Sequence, residues 1–245
     1  MIRQIDRNKP QAASRASRKL PVRTSKSVAG STKGQPAKSL SRARALRSNQ
    51  EMREVSVDRI YHSALKLFVE QGYRSTTIDE IAAGAGLTKG GVYFYISKKE
   101  HLMAQMLDDI SARYIDDIIT KLKAQDLTAQ EKLVAFMHSQ VTFALENPEE
   151  VMLLVMSSVE FSKRNDALTE KIDAIYERMR EFILMTIKQG LASKSFATKL
   201  HPIATASFYV ATHDGMMLEW YRRAAKIDGT ELVRVFREVF LRALS

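Results

Sequence analysis

Residues 77–96 read TIDEIAAGAGLTKGGVYFYI, and the fold turns on how this stretch divides. Thr77 stands three residues before Glu80, the spacing at which a threonine hydroxyl and a glutamate reciprocally cap a helix start. A short helix is therefore expected through Ala83, broken by the glycines at 84 and 86. Thr88 can cap a second short helix that runs to about Tyr95. Two short helices with a tight glycine-bearing connection have the geometry of a helix-turn-helix, whose second helix fits the major groove of duplex DNA. The surface chemistry agrees. Thr77, Thr88, Tyr93 and Lys99 can contact phosphates, and Lys89 is a long donor able to reach a guanine edge. Gly90 and Gly91 cost a helix roughly 1 kcal/mol each, so the pair suggests close backbone approach to DNA or a loose first turn. Ile78, Ile81, Ala82, Leu87 and Val92 form the side expected to pack on the preceding helix. The bland alternative is a helical hairpin of any α-protein. A nucleotide-binding loop fails because no strand precedes the glycines and no Lys-Ser or Lys-Thr follows Gly91.

Outward from this stretch the pattern stays helical. Ile60, Ala64, Leu65, Leu67 and Phe68 recur at helical spacing and end at Gly72, a residue suited to a helix C-terminus. Ser97 with Glu100 repeats the capping-box pattern and opens a helix to about Lys123. Thr128 with Glu131 opens another, closed near Asn147 and Pro148. Further helices are expected at about 149–161, 166–189, 202–222 and 229–244, the last capped by Asp228. No strand is expected. The sequence thus predicts an all-α fold of about nine helices, a three-helix unit followed by a larger helical domain.

The formal charge of +10 sits almost wholly in the first 50 residues, which hold thirteen basic and one acidic side chains. Residues 51–245 balance at −2. Residues 1–50 lack aromatics and apolar periodicity, so they are expected to be a disordered basic tail. A solvated tail, a phosphate-binding arm that adds non-specific affinity, and a translation start at Met52 all fit it.

The chain resembles the TetR family of regulators. The resemblance runs through Arg59, Ile60, Tyr61, Ala64, Leu65, Phe68, Glu70, Gly72 and Tyr73. It continues in Thr76, Thr77, Ile78, Ile81, Ala82, Ala85, Gly86, Leu87, Thr88, Lys89 and Gly90. It ends in Val92, Tyr93, Tyr95, Ile96, Lys99, Glu100 and Leu102. What the resemblance implies is a homodimer with a DNA-binding unit at 53–113 (helix-turn-helix 77–96) and a ligand-binding and dimerisation domain at 114–245. It further implies a repressor of a palindromic operator, released by a small molecule. By position, Thr77 corresponds to the phosphate-binding cap, and Lys89, Gly90, Gly91 and Tyr95 to groove-facing positions. Tyr93 corresponds to the phosphate-contacting tyrosine and Lys99 to the lysine that clamps the backbone. Gly91 departs from the small side chain usual there, and Ile96 from the usual Phe.

Nine of the eleven methionines lie in 103–245, and methionine adapts to irregular space. Phe136, Phe143, Met152, Met156, Tyr176, Met179 and Phe182, with His138 as a polar group, form the candidate pocket for an apolar or aromatic effector. Gly215, Trp220 and the apolar residues of 232–244 supply more than one core-facing stripe, as expected if the last two helices also bury a partner's surface. The homodimer implied by the resemblance would use these helices.

No catalytic residue, cofactor or metal is expected. There is no cysteine, and the histidines at 62, 101, 138, 201 and 213 form no metal-binding spacing. His213 and Asp214 are adjacent and are expected to point to different helix faces. No stretch is long and apolar enough to span a membrane, the lack of cysteine fits a reducing cytoplasm, and a bacterial cytoplasmic location, on the nucleoid when bound, is expected for a protein of the kind it resembles. A DNA-organising protein whose basic tail dominates is the competing reading.

Overall fold

The computed structural model describes residues 36–223 and 226–245, and every regular element among them is helical. The chain divides into two compact units, Met1–Asp58 and Arg59–Ser245. Helix α1, Pro36–Gln71, crosses that division. Residues 36–50, expected with the disordered tail, are therefore helical. The physical reason lies in local propensity: after Pro36, which suits a first helical turn, the stretch is rich in Ala, Leu, Arg and Lys and contains no further Gly or Pro. Want of a core argues against tertiary packing, which a helix does not require. The expectations for residues 1–35 fall outside the described residues.

In the second unit the head is built on the C-terminal part of α1. Ile60, Ala64, Leu65 and Phe68 are buried, as are Ile81, Ala82 and Ala85 of α2 (Ile78–Ala85) and Val92 of α3 (Lys89–Tyr95), and Ser63 Oγ of α1 donates to the Ile81 carbonyl at 2.9 Å. Ile78 and Leu87 are only half-buried. Thr77 Oγ1 accepts from the Glu80 amide at 3.2 Å, while the Glu80 carboxylate accepts from the Thr77 amide at 2.7 Å. The capping box is complete. Gly84 does not end α2, as expected of it, but lies inside. A Cβ there would come within 2.3 Å of Ser63 Oγ on α1, so glycine permits the close crossing. The stop comes at Gly86, left-handed at φ 63°. Thr88 caps α3 by accepting from the Gly91 amide at 3.0 Å.

The segment expected to be one helix from about Ser97 to Lys123 departs in two ways. Its N-cap is Lys98, with no side-chain cap bond, and Ser97 Oγ meets His101 Nδ1 instead. Its middle is a π-helical turn, Ala112–Asp116, between α4 (Lys99–Ser111) and α5 (Asp117–Lys123). The turn admits one more residue than an α-helical turn and is gripped from a later helix, whose Arg178 donates to Ser111 Oγ and lies 2.9 Å from Asp116 Oδ1.

Five helices complete the domain: α6 (Ala129–Glu146), α7 (Pro148–Glu160), α8 (Ala167–Ala192), α9 (Pro202–Arg223) and α10 (Gly229–Leu244). Thr128 with Glu131, Asp166 and Asp228 cap α6, α8 and α10. Helix α8 packs along α9 and α6, and α10 lies on α6 and α9. Phe136, Phe182, Tyr209, Phe236 and Phe240 form the aromatic centre, with successive rings 4.8–6.2 Å apart. Counting residues 99–123 as one interrupted helix, the described residues hold nine.

Candidate functional site

Helix α3 presents an exposed face bearing Lys89, Gly90, Tyr93 and Phe94, with Thr77 and Thr88 exposed at the caps of α2 and α3. Gly91 and Tyr95 are half-buried. A Cβ at Gly90 would meet nothing within 4 Å, so no protein contact requires glycine there. At Gly91 it would come within 3.3 Å of the Thr88 hydroxyl that caps the helix. Lys89 is not extended into solvent alone. Its ammonium pairs with Asp79 of α2 at 2.7 Å, which raises its pKa above the ordinary lysine value. Phe94, absent from the expected DNA-facing residues, is 74% exposed, with its ring edge-to-face with that of Tyr95. The signal was present: Phe94 lies between the buried Val92 and Ile96, off the inward stripe of a seven-residue helix.

Lys99 occupies a different situation from that expected of a free phosphate clamp. Its ammonium donates to the carbonyls of Tyr73 and Thr76, each at 2.6 Å, and sits 4.3 Å from the centre of the Tyr73 ring. Burial lowers its pKa. Two of three ammonium donors thus tie the start of α4 to the connection between α1 and α2, leaving one outward.

The larger domain has a polar chain inside an apolar surround. Tyr114, in the π-turn, meets His213 Nε2 of α9 at 2.5 Å, and His213 Nδ1 lies 3.0 Å from Asp214 Oδ1. The carboxylate holds the proton on Nδ1, so Nε2 accepts from the Tyr114 hydroxyl. Adjacency does not keep His213 and Asp214 apart, contrary to expectation, because Nδ1 is the ring nitrogen nearest the backbone and a short aspartate folds back to it. Burial raises the Tyr114 phenol well above its ordinary pKa and keeps it protonated. Nearby, Tyr209 donates to Gln140 Oε1 at 2.8 Å. Tyr176 is buried, with Ser158 and Asp214 as the polar neighbours of its hydroxyl.

Of the residues expected to line a pocket, Phe136, Met152, Tyr176, Met179 and Phe182 are buried and Phe143 and Met156 are half-buried. His138 is exposed. The inward stripe of α6 runs through Leu133, Phe136, Met137, Gln140 and Ala144, so position 138 falls on the opposite side and Gln140 supplies the inward polar group. A small cleft, partly open to solvent, lies between α6, α9 and α10, with Gln140 and His213 among its polar members and Met137, Val141, Met217 and Val233 among its apolar ones. None of these six was in the expected lining.

Two family profiles match the chain: bacterial regulatory proteins of the tetR family over residues 60–106, and a tetracyclin repressor-like C-terminal domain over 126–244. The crystal structure of the MbdR regulator from Azoarcus sp. CIB superposes with a TM-score of 0.70 at 36% identity, covering 78% of this chain and 99% of that one. The chain belongs to the TetR family. The HTH-type transcriptional repressor KstR2 of Rhodococcus jostii is 22% identical, covering 74% of this chain and 87% of its own length. The structure of the regulator FadR from Bacillus subtilis in complex with stearoyl-CoA shares the fold, with a TM-score of 0.62 and 20% identity, covering 76% and 98% of the two chains. As a TetR-family protein, the chain is a DNA-binding transcriptional regulator, and α2 and α3 are its helix-turn-helix. Among the described residues no helix is long and apolar enough to cross a membrane.

Proposed function

We propose that the chain is a homodimeric repressor of a palindromic operator, released by an effector with an apolar body and a carbonyl end, of the acyl-CoA class. The observation that carries the effector class is the buried apolar and aromatic set of the larger domain with a phenol, Tyr176, placed in it. Burial keeps that phenol protonated, and its O–H suits a carbonyl or thioester oxygen. Phe136, Phe143, Met152, Met156, Met179 and Phe182 would receive the apolar body, with Gln140 and His213 marking the approach from the open cleft. The FadR complex with stearoyl-CoA supports the class. Thr77, Thr88, Tyr93 and Lys99 would hold phosphates. Lys89, Phe94 and Tyr95 would face the bases, and Gly90 and Gly91 would let the helix backbone approach.

Dimerisation through α9 and α10 is supported by apolar side chains that the protomer leaves uncovered. Phe208 and Ile203 of α9 and Val235 and Val239 of α10 are each at least half exposed. Val235 and Val239 form a second stripe beside the core-facing Phe236 and Phe240, and Gly215 of α9 has open space around it for a partner helix.

The test is fluorescence anisotropy of an operator selected from random duplexes, titrated with a panel of acyl-CoA thioesters and the matching free acids. Release by thioesters, weakened in Tyr176→Phe, is expected. Release by no thioester at saturating concentration would overturn the effector class while leaving DNA binding intact.

A further inference from the structure

The π-turn places two neighbouring side chains on opposite business. Tyr114 reaches inward to His213, beside the cleft. Arg113 reaches Glu150 on α7, forming an ion pair in which the carboxylate side chain is only 4% exposed. Glu150 in turn accepts from the Tyr61 hydroxyl of α1 at 3.4 Å. Tyr61 belongs to the head, among the buried Ile60, Ala64 and Leu65 of α1. Phe143 of α6 touches both members of the turn, with the Arg113 guanidinium 5.2 Å from its ring centre and the Tyr114 ring 4.8 Å away. Helix α7 holds the head at its other end as well. The Glu160 carboxylate accepts from the amides of Tyr73 at 3.0 Å and Arg74 at 2.9 Å, just past the end of α1.

We propose that Glu150 is the positioning residue through which the effector core controls the head, with the Arg113–Tyr114 pair of the π-turn as the part that moves. The proposal rests on the reading that the effector is received around His213. π-turns recur at functional sites in helices, and Arg178 holds this one at its two ends, on Ser111 and Asp116, with Arg113 and Tyr114 between them. Displacing Tyr114 therefore rotates this turn before it bends α4 or α5. Because Arg113 is the next residue, the same rotation withdraws its guanidinium from Glu150. A carboxylate so deeply buried is strongly destabilised when its cation leaves. Helix α7 must then shift, and it carries both its hold on Tyr61 and its hold on the Tyr73–Arg74 amides. The head is thus re-aimed without any contact between effector and DNA.

Coupling between two binding sites is reciprocal, so the relay can be tested from the DNA side, with the effector unknown. The experiment uses the full chain labelled with ¹⁵N-histidine, a duplex selected from random sequences, and the His213 ring resonances, assigned by their loss in His213→Gln. Saturating wild type with the duplex is expected to move the His213 resonances. In Glu150→Gln and Arg113→Met, also saturated, the movement should be lost. Glu149→Gln, which alters an exposed carboxylate one residue away, should behave as wild type. If Glu150→Gln does not fold, Tyr61→Phe, which deletes only the hydroxyl, should reduce the movement. Unmoved resonances in saturated wild type would overturn the relay, as would equal movement in wild type and the folded variants. Failure to select any duplex would instead strike the DNA-binding reading itself, and the relay with it.

Discussion

Replacing Lys99 with methionine tests whether this lysine is a joint in the head as well as a contact to DNA. The substitution keeps the length and apolar stem but removes two hydrogen bonds to the Tyr73 and Thr76 carbonyls and the charge over the Tyr73 ring. Hydrogen bonds to charged groups contribute about 1.5–3 kcal/mol each. Lys99 is half-buried, so water replaces part of what is lost, and about 2–3 kcal/mol in all is a fair expectation. For a domain of this size each kcal/mol moves the melting temperature by roughly 2–4 °C, so a fall of about 4–12 °C is expected. The remaining ammonium donor makes the second half of the prediction. If it meets a phosphate, Lys99→Met will also flatten the dependence of log affinity on log salt by about 0.9 per head. Calorimetric melting and anisotropy titrations across a salt series measure the two effects separately. A variant that melts with wild type would refute the structural role, whatever its DNA affinity.

Other perturbations are as direct. Phe94→Ala, at an exposed position, should leave the melting temperature unchanged and weaken binding to a selected operator; unchanged affinity would remove Phe94 from the reading surface. Thr88→Ala should cost about 1 kcal/mol by uncapping α3, read as a lower urea midpoint. Gly190→Ala would place a Cβ 2.1 Å from the Phe196 ring and should destabilise the domain by about 1–3 kcal/mol; Phe196→Leu in the same chain should recover part of the loss in a urea titration. The Glu80 carboxylate is held below its ordinary pKa by the Thr77 amide and hydroxyl. Its stabilising effect is therefore complete above the unfolded value near 4.5 and fades as pH falls through the lower folded value. The difference in urea midpoint between wild type and Glu80→Gln should shrink correspondingly on acidification from neutrality.

The helix-turn-helix was legible because its signals are local. Thr77, Glu80 and Thr88 act within one turn, and the structure shows their bonds where the spacing puts them. What sequence could not supply was the answer to questions of crossing distance. Gly84 reads as a breaker until Ser63 is known to lie against it, and Lys99 reads as a free cation until the Tyr73 and Thr76 carbonyls turn toward it. The π-turn carries no composition signal, since Ala112–Asp116 would extend an α-helix perfectly well. It is held by Arg178 from α8, sixty-two residues beyond Asp116 in sequence. In the effector core the aromatic and methionine stripe was visible as a stripe. Its polar members were not, because Gln140, Tyr114 and Tyr209 look ordinary until three helices bring them together.

The Lys89–Asp79 pair has a consequence for how the proposed reading surface would treat the wrong sequence. The head from 51 to 102 is close to electrically neutral, with seven basic and seven acidic residues, and its long reading side chain already has an anion beside it. The paired O6 and N7 acceptors of a guanine can replace Asp79 as partner, whereas the separate adenine N7 and thymine O4 acceptors of an A·T pair compensate less well for the broken ion pair. Random DNA therefore gains little from Lys89, and residence on it should be brief. On that account fidelity comes less from how tightly the right operator is held than from how quickly every other site is abandoned.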